Sequence, residues 1–312
     1  MFQLPTNGIA RSINEHNSRL DVFSDWLEAS VLFSDSELSR TDVVDALIEH
    51  RIYDQQDFAD QWVTNAWGEI ERRQKCIGNG SPYDITPQRI SRKSSWEDVS
   101  AYSFCLLLSL VNNYSGLNGQ WQEKFRTGYI EQGELFELLT KESLEKQFPD
   151  WRMYHTGWSR SSPSKLIKIV DEIAAQLGET KGNLELWTSP DAHEAGLDLL
   201  FYRPFEDNRV GIPLYLLQCA SGGNWTDKLH TPCLKTWTKV IQFAATPRKA
   251  FATPFALEDG VFCGYCNLVD GLFLDRYRLL SPSHEDKNWL STQLNNRIKK
   301  WLRPRIKTFP AY

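Results

Sequence analysis

The spacing of apolar residues changes character once along this chain, and that change limits the architectures open to it. Between residues 19 and 33, Leu20, Phe23, Leu27 and Val31 recur at steps of three and four, the period of a helix with one buried face. Residues 40–47 start a second such stretch, and residues 56–74 continue it with Phe58, Trp62, Ala66 and Ile70. After a Gly/Ser/Pro break at residues 78–82, residues 95–111 and 132–148 read as further helices. Past Gly182 the apolar runs become short and are bounded by turn residues. Residues 184–187, 197–203, 213–219, 250–255 and 261–269 read as strands. Helices are expected at 165–177, launched by Ser162 as cap and Pro163 at its first position, at 226–243 and at 289–301. There is no internal repeat and no heptad array.

The order is an α/β fold: an N-terminal helical domain at 1–150, then a mixed-sheet α/β domain at 151–312. A chain of 312 residues suits two domains. Charge divides the same way. Residues 1–150 hold 14 Lys+Arg against 24 Asp+Glu, and residues 151–312 hold 21 against 16. An acidic first half is a poor match for a phosphate backbone and a better one for a protein partner, whereas the basic second half can meet nucleic acid. The longest apolar run, within 101–111, is about half of the ~20 residues a bilayer span needs and reads as a buried helix. The N-terminus lacks the basic start and apolar stretch of a signal peptide. The expectation is therefore a cytoplasmic protein with no membrane partner. Six cysteines are sparse for this length and suit a reducing compartment. Cys263 and Cys266 form the single CxxC, and without a second knuckle they read as small hydrophobes in a strand.

Chemistry concentrates in residues 190–225. Two apolar strands flank a polar turn at 205–211. If they form a hairpin centred on Asn208, residues whose numbers sum to about 416 face each other. Asp198 then lies opposite Gln218. By alternation Asp198, Gln218 and Ala220 share one face, and Leu197, Leu199, Leu217 and Cys219 the other. A carboxylate, an amide oxygen and the Cys219 carbonyl are hard oxygen ligands of the kind Mg²⁺ accepts. The plainer reading is a hairpin whose Asp198 is solvated or caps a turn. The segment 221–225 reads either as a phosphate-approaching loop that includes Asn224, ahead of a helix N-terminus, or as a flexible turn. His193 and His230 lack partners at metal spacing.

These residues resemble the PD-(D/E)xK nuclease superfamily, with its restriction-endonuclease-like fold, and in particular the Mrr-like branch in which glutamine replaces the second acid. The resemblance covers about residues 163–270. That core is a helix, a three-stranded meander, a second helix and a further strand. The aspartate at its second strand is matched by Asp198 in Gly196-Leu197-Asp198, and its third-strand glutamine by Gln218. The acid of its first helix is matched by Glu172, less well by Asp171, with Glu194 as a rival. The resemblance implies a DNA endonuclease using Mg²⁺ or Mn²⁺, of a kind often found in restriction or antiphage defence.

The chain departs from the pattern where the superfamily has lysine, for Ala220 stands there. That lysine positions the attacking water and stabilises charge on the phosphate, and alanine does neither. Three accounts stay open: Lys228 or Lys235 supplies the charge, a substitution has trapped an inactive form, or the site is degenerate and the fold is a binding module. Lys228, Lys235, Lys239, Arg248 and Lys249 are the candidate DNA contacts. The run from Arg297 to Arg305, interleaved with Trp301, is either a second phosphate-tracking surface or a solvated helix end.

Overall fold

A computed structural model describes residues 1–9, 18–125, 128–156, 166–186 and 196–311. It has two units. The first comprises Met1–Gly128, Pro254–Leu257 and Arg276–Tyr312, and the second Tyr129–Thr253 and Glu258–Asp275. The division thus falls earlier than residue 150, and the C-terminal segment returns to the first unit. Ser162, Pro163, His193 and Glu194 lie outside the described residues.

The first unit is mainly helical, with α1 (Leu20–Ala29), α2 (Arg40–Glu49), α3 (Gln56–Ile77), α4 (Ser100–Val111) and α5 (Leu117–Lys124). A small antiparallel sheet joins β1 (Glu37–Ser39), β2 (Tyr83–Ile85) and β3 (Arg89–Arg92). Ser39 caps α2 by accepting the Asp42 amide, which satisfies one of the orphan donors of the first turn. On α3 the buried stripe is Ala59, Val63, Ala66, Trp67 and Ile70. Ala66 and Ile70 are buried as expected, whereas Phe58 is 36% exposed and Trp62 is half-buried. As expected, α4 is buried almost all round.

Helix α1 carries two charges into this core. Arg73 Nη1 donates to Asp25 Oδ1 at 2.9 Å and Glu28 Oε2 at 3.1 Å, and Arg73 Nε to Glu69 Oε1 at 2.7 Å. Arg276 grips both Asp25 oxygens at 2.8 and 3.0 Å and donates to the Pro254 carbonyl. Burial pushes the Asp25 carboxyl up, but Arg276 and Arg73 together outweigh it and hold it below its usual range. Glu28 goes the other way, raised because burial outweighs its attraction to Arg73.

The second unit is built on a five-stranded mixed sheet. Its elements are α6 (Gly128–Gln147), β4 (Arg152–His155), α7 (Leu166–Leu177), β5 (Thr180–Lys181), β6 (Leu199–Tyr202), β7 (Leu214–Cys219), α8 (Leu234–Val240), β8 (Ile241–Gln242), β9 (Arg248–Ala252), α9 (Asp259–Val269) and β10 (Gly271–Leu274). The sheet order is β10-β9-β7-β6-β4. Strands β4, β6 and β7 form an antiparallel meander, and β9 and β10 then run parallel to β7. Strands β5 and β8 make a separate antiparallel pair. Helix α7 buries Leu166, Ile169, Val170, Ile173 and Leu177 against Leu200, Tyr202, Leu214 and Leu216. Ile167 of the same helix is exposed. On the other side of the sheet Phe201 and Tyr215 stack at 4.7 Å, beside Phe148 and Trp151.

Several expected elements differ. The first strand of the meander is Arg152–His155, while Leu184–Leu186 is a 3-10 turn. The helix expected at 226–243 is a 3-10 turn, Trp225–Lys228, followed by the short α8. Pro232 lies between them and has no N–H to extend a helix. Cys263 and Cys266 sit on helix α9, not on a strand. Phe262, Tyr265 and Val269 recur there at helical spacing, and the two rings pack on Phe273. The last helix, α10 (Arg276–Leu280) apart, is α11 (Thr292–Ile306), which belongs to the first unit.

Candidate functional site

The hairpin has the expected register. Leu199 faces Leu217 and Leu200 faces Leu216, pairs whose numbers sum to 416. Asn208 sits in the turn with φ 51°, a left-handed value that asparagine tolerates better than most residues. Asp198, one residue before β6, therefore meets Gln218 near the end of β7. Leu197, expected on the opposite face, lies ahead of the strand and joins the core under α7.

Asp198 is 4% exposed, so it is not solvated. Its Oδ2 accepts the Gln218 side-chain amide at 2.5 Å and the Cys219 backbone amide at 2.6 Å. The same Gln218 Nε2 donates to the Cys219 carbonyl at 3.0 Å. Gly196 is required here. Its φ is +65°, and a Cβ would come within 2.7 Å of Thr231 Cβ and 3.1 Å of Gln218 Oε1.

The Thr231 hydroxyl lies 2.6 Å from the Lys228 carbonyl and 3.2 Å from Gln218 Oε1. A hydroxyl has one proton. Committed to the closer Lys228 carbonyl, it is left as an acceptor toward the amide. Gln218 can then lie either way round. With Nε2 inward, the amide bridges Asp198 and the Cys219 carbonyl. With Oε1 inward, three oxygens converge on one point, an arrangement that a cation stabilises.

These groups open onto a cavity of about 500 Å³. Asp198, Gln218, Cys219, Ala220, Asn224 and Lys228 all line it. So do Glu134 and Glu137 of α6, which the sequence reading did not single out. Glu137 Oε2 lies 2.6 Å from His155 Nε2 on β4. Burial lowers the His155 pKa, against the pull of Asp198. The Cys219 thiol is pushed well up by burial and by Asp198. Ala220 is buried and closes the end of β7, its amide donating to the Ala252 carbonyl. The loop after it leads into one 3-10 turn, too short to offer a helix N-terminus to an anion.

The remaining expected residues lie elsewhere. Glu172 of α7 is exposed, hydrogen-bonded by the Tyr154 hydroxyl and 3.7 Å from Lys168. Asp171 pairs with Lys181 at 2.8 Å. Lys235 and Lys239 are exposed on α8. Arg248 is paired in register with Tyr215, toward the opposite end of β7 from Gln218. Lys249 donates to the Leu229 carbonyl at 3.0 Å, and burial lowers its pKa.

Among the described residues no three His, Cys, Asp or Glu side chains form a group that could hold a metal ion. The oxygens on offer are of another kind: one carboxylate, one amide and one backbone carbonyl. Comparison with protein-family models, curated proteins and solved structures gave no match. No helix among the described residues is long and apolar enough to cross a membrane.

Proposed function

We propose that the second unit is a metal-dependent DNA endonuclease of the PD-(D/E)xK kind, with Lys228 in the role that a lysine at 220 would fill. The observation that carries this reading is the convergence of Asp198, the Gln218 amide and the Cys219 carbonyl in a cavity that Lys228 also lines. The element order supports it. Helix α6, the meander β4-β6-β7, α8 and the parallel strand β9 follow the order of that superfamily's core, with α7 inserted after the first strand. In this alignment the first helix is α6, so its acid is Glu137 or Glu134, not Glu172.

Asp198, Gln218 Oε1 and the Cys219 carbonyl would hold Mg²⁺ or Mn²⁺. A cation held there would supply Lewis-acid chemistry, polarising a phosphodiester oxygen and activating water. The Lys228 ammonium neutralises charge that grows on the phosphate. Glu137, oriented by His155, accepts a proton or a hydrogen bond from water in the cavity. A role in restriction or antiphage defence belongs with this reading, as does a protein partner for residues 1–150, where acids outnumber bases 24 to 14.

A second reading, a non-catalytic binding module, is favoured by one observation. With Nε2 inward, Gln218 satisfies both oxygens without any cation, and Ala220 supplies no charge. Incubation of the parent chain and its Asp198→Ala, Lys228→Ala and Ala220→Lys variants with plasmid and single-stranded DNA, in Mg²⁺ or Mn²⁺, decides between them. The first reading expects cleavage by the parent that Asp198→Ala and Lys228→Ala abolish. Cleavage by Ala220→Lys alone marks a disabled nuclease. No cleavage by any chain, with DNA binding retained, establishes the module.

A further inference from the structure

Helix α11 separates its charges from its apolar residues. Leu294, Ile298, Trp301, Leu302 and Arg305 are buried. Arg305 is drawn inward, its guanidinium 3.9 Å from the Trp301 ring centre and 4.3 Å from that of Phe125. Lys299, Lys300 and Arg303 occupy the other face, with Lys307 just past the helix end. Together with Lys124 at the end of α5 they line an open concavity of about 590 Å³. No acidic residue lines it; Lys299 adds weakly to the effects that hold the Asp98 carboxyl below its usual range, but among the described residues none of these five cations forms a close ion pair.

An ordinary solvated helix face interleaves both signs. Here the i,i+4 pairs Lys299/Arg303 and Arg303/Lys307 bring like charges together, which opposes helix formation. The macrodipole favours cations at the last turn but gives no reason for Lys299 and Lys300 in the middle of the helix. An external polyanion does. From Lys299 to Lys307 the helix rises about 12 Å, the length of three to four phosphates of one strand at roughly 3.4 Å each. Trp301 is 2% exposed, and no aromatic ring lines the concavity. It therefore lacks the stacking platform that unpaired bases need.

We propose that this concavity of the first unit binds the phosphate backbone of duplex DNA without reading its sequence. The choice of DNA as the polyanion rests on the function proposed above; binding here does not require cleavage. The test is fluorescence anisotropy of the full chain with a short labelled duplex, in EDTA, across a salt series. The variants are Lys299→Glu/Lys300→Glu/Arg303→Glu, the matching triple glutamine chain, and Lys75→Gln, which removes an exposed cation of α3 outside the concavity, each checked for parental circular dichroism. Lys75→Gln should bind as the parent does, and the triple glutamate chain at least tenfold more weakly. The glutamine chain should lower the slope of log affinity against log salt by about 2 to 3, at roughly 0.9 per lost phosphate contact. Parental affinity and slope in both triple variants overturn the proposal. So does a parent chain that binds no duplex, or that prefers anionic vesicles or an acidic protein. A parent that binds through these residues and never cleaves in Mg²⁺ overturns the nuclease reading alone. Cleavage with binding untouched by the triple variants overturns this proposal alone.

Discussion

Gln218 Nε2 stands 2.5 Å from Asp198 Oδ2 and 3.0 Å from the Cys219 carbonyl, so a single amide ties the start of β6 to the end of β7. The bridge is buried, and it fixes what each substitution at either residue should do.

Asp198→Ala removes the acceptor of two buried donors, the Gln218 amide and the Cys219 N–H. It should cost about 1–3 kcal/mol of stability, read by urea denaturation. If the oxygens hold a cation, Mn²⁺ should raise the melting temperature of the parent and of Lys228→Ala, but not of Asp198→Ala.

Lys228→Ala should lower cleavage by about 10²–10³-fold, the usual scale for loss of one charge-stabilising donor. Ala220→Lys in the same chain should restore part of it, since Ala220 lines the same cavity. Lys235→Ala should leave the rate unchanged. A rate lost with Lys235 and kept without Lys228 reverses the assignment.

The two helix acids should separate cleanly. Glu137→Gln perturbs a group that lines the cavity and pairs with His155, and should slow cleavage and alter its pH profile. Glu172→Gln touches only the surface contact with Tyr154 and Lys168, and should do neither.

In the first unit, Arg276→Met strips Asp25 of both guanidinium bonds from Arg276. Breaking a buried pair from one side costs about 3–5 kcal/mol, measurable by chemical denaturation. The acid limb follows from the directions of shift. Asp25 and Glu69 are held below their usual values, each against the opposing effect of burial, by Arg276 and Arg73 in one case and by Arg72 and Arg73 in the other. Their stabilisation is complete above the unfolded carboxylate range, about pH 4, and is lost as pH falls toward their folded values. Glu28, raised by burial, has the opposite sign and loses its share as pH rises through its folded value. Denaturation midpoints from about pH 3 to pH 7 should therefore fall toward acid, and more gently in Arg276→Met.

Where the sequence was legible, the signal was local. The apolar period gave α1, α4 and α7 because a helix buries every third or fourth residue regardless of its partner. The turn at Asn208 and the two-residue alternation of the strands gave the hairpin register, and with it the meeting of Asp198 and Gln218. Helix α9 was legible too, since Phe262, Tyr265 and Val269 keep helical spacing, but its Val, Phe and Tyr content suggested a strand. The edge strand Arg152–His155 offered little to read: four residues, none fully buried.

By itself, then, the sequence determined the helical and mixed-sheet character of the two halves, the hairpin and the pairing of Asp198 with Gln218. Each depends on spacing within a few residues or across one short turn. Only the tertiary structure decided that α6 and not α7 lines the cavity with its acids, that Lys228 reaches it while Lys235 does not, and that α11 turns Trp301 and Arg305 inward and leaves its other cations outside. Those outcomes depend on which buried faces meet. Helical periodicity marks a face for burial but carries no information about what covers it.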